Sequence, residues 1–166
     1  MHPHAALLEK LYTCLAAKDH QGMGACYHPD ATFQDIAFAL RGKNQIHAMW
    51  HMISETDLRA SFTVSRADDR TGTADLVDDY TFRDTGRRVH NVIRSEFRFR
   101  DGLIVEHQDS CDALKWGVQA LGPLKGVLSW LVPATRRAKA KTKLKKFIDR
   151  HPEYSSREDT ASSAGM

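Results

Sequence analysis

Asp35, His107 and Asp109 are the side chains best placed to move a proton, because each falls on the apolar face of a strand-patterned segment. In Leu103 to Cys111 the alternate residues Leu103, Val105, His107, Asp109 and Cys111 share one face, and so do Ala31, Phe33 and Asp35 in the segment opened by Ala31. A lone buried carboxylate costs several kcal/mol, so each acid must be paired, protonated or lining a wet cavity. Such a setting also raises a carboxyl toward working pH, where it can act as a general acid or base. Asp109 is therefore the first candidate catalyst, His107 a group that tunes or relays the proton, and Asp35 the second candidate.

Ordinary roles suit the same residues: Asp35 as the turn residue ending its strand, Asp109 bonded to amides near a helix start, His107 as a hydrogen-bonded core imidazole. In Arg87 to Arg100 the residues Val89, Asn91, Ile93, Ser95, Phe97 and Phe99 alternate with Arg88, His90 and other polar groups. The first set points inward, which leaves Asn91 and Ser95 in need of partners and sends His90 to solvent. Tyr80 shares a face with Leu76, Asp78 and Phe82, so its hydroxyl can reach the same interior. Tyr12, Phe33 and Trp50 complete the candidate ligand-binding set, and Phe33 and Trp50 serve equally as core. An interior mixing acids, an imidazole, an amide and hydroxyls with apolar walls suits a small, mostly apolar or amphipathic ligand.

The elements that must hold these residues follow from periodicity. Leu8, Leu11, Tyr12 and Leu15 predict a helix from Pro3 to Lys18, and a second helix should run from His20 to Tyr27, ending before Pro29. A strand from Ala31 to Phe38 precedes a third helix opened by Gly42 and bearing Ile46, Met49, Trp50 and Ile53. From Arg59 the period becomes two, predicting strands around Phe62 and Val64, over 74–84, over 87–100 and over 103–111, joined by short turns as antiparallel neighbours. Helices return over 113–121, 124–131 and from Pro133 to about Arg150, with Asp112 as a helix N-cap. Helices followed by a meander of long strands make an α+β domain.

The chain has 166 residues, enough for one domain. Residues 1–122 form the main unit, 123–152 a basic amphipathic helical extension and 153–166 a disordered tail. The net charge of +3 conceals an imbalance: Arg136 to Arg150 holds 8 Lys and Arg against one Asp, and the remainder has 16 basic and 20 acidic residues. This excludes a protein that grips nucleic acid over its whole surface. The basic run offers itself to anionic lipid or nucleic acid, but a solvated helix face is the preferred reading. The apolar stripes of 124–150 could close a pocket mouth or meet a dimer partner. Cys14, Cys26 and Cys111 form no zinc or disulfide pattern, so neither metal nor cofactor is expected. No basic region followed by a long apolar run opens the chain, and no stretch is long enough to span a membrane, so a cytoplasmic protein is expected.

Three segments, Tyr27-His-Pro-Asp-Ala-Thr-Phe-Gln-Asp, Gly42-Lys-Asn-Gln-Ile-His-Ala-Met-Trp and Gly102-Leu-Ile-Val-Glu-His-Gln-Asp-Ser-Cys-Asp, in this order of elements, resemble the nuclear transport factor 2-like superfamily. Within it the chain is similar to SnoaL-like polyketide cyclases, limonene-epoxide hydrolases and ketosteroid isomerases over residues 5 to about 121. The resemblance implies a cone-shaped, curved antiparallel sheet packed on three N-terminal helices, with homodimerisation through the outer face of the sheet. It implies that Asp35 falls at the isomerases' proton-shuttling aspartate and Asp109 at the acid/base aspartate of cyclases and epoxide hydrolases. The isomerases' oxyanion tyrosine falls on Leu11, one residue from Tyr12, and their protonated aspartate on Ser95. The hydrolases' Arg and second Asp fall on Ile93 and Ser95. Two acids from two active-site patterns thus share one cavity without either complete set.

Overall fold

The computed structural model describes residues 1–155, so 156–166 of the expected tail lie outside the described residues. Helix α1 (Pro3–Ala16) turns Leu8, Leu11, Tyr12 and Leu15 inward, as the spacing predicts. Asp19 caps α2 (His20–Ala25) by accepting a bond from the Gly22 amide. This helix ends earlier than its pattern suggests because Tyr27 already belongs to β1 (Tyr27–Gln34), paired in parallel with β6 (Leu103–Cys111). The predicted strand 31–38 divides, with β1 folding back on β2 (Ala39–Arg41) before α3 (Lys43–Ser54).

The long strands β3 (Arg59–Ala67), β4 (Thr71–Phe82), β5 (Arg87–Arg100) and β6 form the antiparallel meander. The six-stranded sheet runs β2-β1-β6-β5-β4-β3, antiparallel except where β1 meets β6. This is the α+β architecture expected, a curved sheet whose concave face packs on α1 to α3 around one main core.

One local irregularity decides which side chains enter that core. Arg98 pairs with Glu106 and Phe99 with Ile104, so Val105 has no opposite residue and forms a bulge. The extra residue reverses the alternation: Ile104 is fully buried and Leu103 only half-buried, contrary to the simple parity reading, while beyond the bulge His107, Asp109 and Cys111 share the inner face.

The C-terminal extension comprises α4 (Ala113–Leu121), α5 (Pro123–Leu131) and α6 (Pro133–Arg150). Asp112 caps α4 as expected, accepting from the Lys115 amide at 2.9 Å. Helices α4 and α5 cross backbone to backbone: a Cβ on Gly126 would lie 2.4 Å from the Val118 nitrogen, so only glycine fits. The apolar stripe of α5 does not pack inward, for Leu124, Leu128 and Leu131 are all exposed. By contrast, α6 buries Leu144 and Phe147 against the main core, and a 3-10 turn (Pro152–Tyr154) adds Tyr154 to it. Order therefore extends past residue 153, where the tail was expected to begin, because an apolar ring anchors the turn. No helix among the described residues is long and apolar enough to cross a membrane.

Candidate functional site

The inner ends of β1, β5 and β6 carry a continuous file of hydrogen bonds. Trp50, on α3, donates from Nε1 to the Tyr27 hydroxyl at 3.1 Å, and that hydroxyl lies 2.7 Å from His107 Nδ1. His107 Nε2 lies 2.8 Å from Asp109 Oδ1, and Ser95 Oγ donates to the same oxygen at 2.5 Å. Tyr12, reaching across from α1, donates to Ser95 Oγ at 2.7 Å. Placing the His107 proton on Nε2 gives every hydrogen in the file an acceptor: Tyr27 donates to Nδ1, and two donors converge on Asp109 Oδ1. Burial drives both tyrosines well above the ordinary phenol range, so they remain donors.

Apolar packing holds this file still. The His107 ring, essentially buried, sits 4.3 Å from the Phe97 centroid and meets Phe33 edge-on at 4.9 Å, with Trp50 stacked at 6.3 Å. Phe33 and Trp50 thus act as walls around the imidazole. Asp109, with a side chain 9% exposed, keeps Oδ2 free of hydrogen bonds to the described residues.

The other acids are set differently. Asp35 Oδ1 accepts from the Ala37 and Phe38 amides at 2.7 and 2.6 Å, so it closes the β1–β2 turn as its turn reading proposed. Yet the same residue is half-buried, and desolvation raises its carboxyl to about 6 despite those bonds. It directly follows Gln34, which pairs with Gln108, and so stands beside Asp109 in the sheet. Asp78, on β4, is more extreme: it is 8% exposed and its Oδ1 has no hydrogen-bond partner. Burial first, then the Asp109 charge, raises it to about 7.

Asn91 lies directly opposite Asp78 and is half-buried beside the Cys111 thiol. Tyr80 accepts from Trp116 Nε1 of α4 at 2.7 Å, and burial raises its hydroxyl to about 12. Arg136, from α6, reaches the same end of the sheet, donating from Nε to the Ile36 carbonyl at 2.6 Å and from Nη1 to Ser129 at 3.0 Å. Two shallow clefts, of about 310 and 370 Å³, open on the sheet: one beside β1, β2 and β6, lined in part by Phe33 and His107, the other across β4, β5 and β6, lined in part by Phe97. Neither is lined by Asp35, Asp78 or Asp109.

The structure therefore joins Tyr12, Ser95, His107 and Asp109 directly, with Phe33 and Trp50 packed around them, and leaves Asp35, Tyr80 and Asn91 as neighbours on the same concave side. Sequence reasoning missed Tyr27, Asp78 and Arg136 as site residues. Alternation with Ala74 and Leu76 already turned Asp78 inward, and that signal could have found it. Tyr27 was hidden by an irregular β1–β6 register, and Arg136 by its basic surroundings.

Known proteins place this geometry. The chain matches the model of the SnoaL-like domain over residues 8–107, and no curated protein matches it. Among solved structures, an epoxide hydrolase of the LEH-like type from M. tuberculosis shares 18% identity at a TM-score of 0.57, covering 79% of this chain and 96% of that one. A hypothetical protein from Catenulispora acidiphila with a ketosteroid isomerase-like fold, solved with trimethylamine, shares 16% at 0.59 over 69% and 91%. A candidate polyketide cyclase from Xanthomonas campestris pv. campestris shares 17% at 0.62 over 71% and 96%. At such identities the likeness speaks for the fold, and the family match, spanning more than half the chain, places this protein in the SnoaL-like family of the nuclear transport factor 2-like fold.

Proposed function

We propose that this protein binds a small, mostly apolar molecule at the concave face of its sheet and performs acid–base chemistry on it without a cofactor, Asp109 accepting a proton and Asp78 supplying one. The observation that carries this reading is the contrast between the two acids. Asp109 Oδ1 receives donors from His107 and Ser95, whereas Asp78 is buried with no partner at Oδ1 and is raised to about 7. Two carboxyls in such different surroundings can divide the work of base and acid. His107 holds Asp109 in place, and Asp35, raised to about 6, is the second acid available beside it.

With an epoxide bound, ring opening needs one base and one acid. Asp109 takes a proton from water, the water oxygen bonds to a ring carbon, the carbon–oxygen ring bond breaks and the ring oxygen takes the Asp78 proton. Proton return from Asp109 to Asp78 through solvent restores the start. For an isomerisation the same pair removes a proton at one carbon and supports the developing oxyanion. Incubation with cyclohexene oxide in ¹⁸O water, and with 3-cyclohexenone in deuterated water, tests both. Labelled diol or deuterated enone is expected, lost on Asp109→Asn; inertness toward both removes the catalytic reading.

A second reading is a binding module without turnover. It is favoured by the Tyr12 hydroxyl being spent on Ser95 rather than left free to meet a substrate oxyanion. It predicts a small molecule retained through purification, seen by denaturing mass spectrometry, with neither label incorporated. The homodimer implied by the family resemblance would form on the sheet's outer face, which carries ion pairs such as Arg94 with Asp75 at 2.8 Å.

A further inference from the structure

Four of the chain's nine histidines gather at one seam that the catalytic reading does not use. His47 and His51 lie one turn apart on α3, His20 opens α2, and His151 follows the end of α6. The His20 ring stacks on His51 with centroids 3.7 Å apart, and His51 meets His151 at 4.9 Å. Glu153 follows in the 3-10 turn, and one donor atom each from His51, His151 and Glu153 lie within 4.8 Å of one another.

We propose that His51, His151 and Glu153 form a binding site for a divalent transition-metal ion of the zinc class, joining the end of α6 to α3. Two imidazoles and one carboxylate are a donor set for zinc and its neighbours rather than for magnesium or calcium, which take oxygen. Both rings already have their second nitrogen engaged: His151 Nδ1 lies 2.9 Å from the Phe147 carbonyl, and His51 Nδ1 lies 3.0 Å from the Tyr154 hydroxyl. Such contacts orient a metal-binding imidazole and leave Nε2 as the ligand. Tetrahedral ligands about 2.1 Å from an ion stand about 3.4 Å apart. Closing from 4.8 Å asks for a shift of under 2 Å, which exposed Glu153 can supply by rotating its side chain. Glu55 adds a further carboxylate, 4.0 Å from His51 Nε2. His20 is held away, its Nδ1 lying 3.1 Å from His47 Nε2, so it is not among the ligands.

The ligands come from residues about one hundred positions apart, so a bound ion would cross-link the C-terminal helix to the cone. Zn²⁺ titrated into the metal-stripped full chain by calorimetry should show one site per chain, and the thermal midpoint should rise with Zn²⁺ concentration. His151→Ala should remove the site, Glu153→Gln should weaken it about tenfold, and His90→Asn, on the outer sheet face, should leave it intact. Limited proteolysis should show Zn²⁺ protecting 133–155. Absence of binding to the wild type, or binding that survives His51→Asn combined with His151→Ala, overturns the proposal.

Discussion

Two carboxyls on the same concave surface, Asp109 on β6 and Asp78 on β4, have opposite surroundings. Around Asp109 the sheet and α1 bring hydroxyls and an imidazole, each bonded in turn to the next, so a buried charge has fixed dipoles in place of water. Around Asp78 the neighbours are Leu76, Tyr80 and Asn91, and Oδ1 receives no hydrogen bond. Burial alone therefore does not define a carboxyl's chemistry. The donors that accompany it decide whether the group is kept as an anion or pushed toward the acid.

The sharpest way to break this comparison is to neutralise Asp109. Asp109→Asn should lower turnover of a confirmed substrate by about 10²–10⁴-fold, the range for loss of a positioned acid or base. An unchanged rate would remove Asp109 from the chemistry. Asp78→Asn separates the two acids more finely, because its effects on activity and stability should have opposite signs. Activity should fall about 10²-fold. Stability should rise at pH 8 and above, since the folded-state value of about 7 lies above the ordinary aspartate value of about 3.9. The wild-type carboxyl is harmless below pH 4, where both states are protonated, and increasingly costly as pH rises through 7. Three units correspond to on the order of 4 kcal/mol at full ionisation. Chemical denaturation at pH 4 and pH 8 reads this directly; a mutant less stable at pH 8 would show that Asp78 has a partner.

Tyr27→Phe tests the hydrogen-bonded file without touching either acid. It leaves His107 Nδ1 and Trp50 Nε1 without their shared partner, costing about 1–3 kcal/mol. Activity should change less than in either acid variant, because Ser95 still donates to Asp109. Ser95→Ala should have the smallest effect on stability, on the order of 1 kcal/mol, and should lower activity several-fold by freeing the Tyr12 hydroxyl and withdrawing one donor. Equal losses in all four variants would mean that the Asp109 file and Asp78 act as one unit rather than as distinct base and acid.

Much of this was legible in the residues. The strand Arg87 to Arg100 matched its pattern end to end, because strict alternation over many residues admits only one face assignment. Ser95 turns inward for the same reason, whereas His107 and Asp109 share the inner face only beyond the bulge that breaks their parity with Leu103 and Val105. The face of 103–105 was misread, since a bulge leaves no mark in composition while reversing everything before it. Tyr12 stands one position off the isomerase tyrosine in the resemblance but belongs to the candidate ligand-binding set, and its hydroxyl reaches Ser95. The α5 stripe had the spacing of a buried helix and is exposed, for its close approach to α4 is made on the glycine side at Gly126.

Local periodicity, turn residues and caps by themselves determined the order and type of nearly every element, since each depends on neighbours within a few positions. Only the tertiary structure decided which polar groups meet: Trp50, Tyr27, His107, Asp109, Ser95 and Tyr12 join through contacts spanning up to 83 positions. Hydrogen-bond partnership depends on fractions of an ångström in three dimensions, and a one-dimensional pattern carries direction toward the core without distance within it.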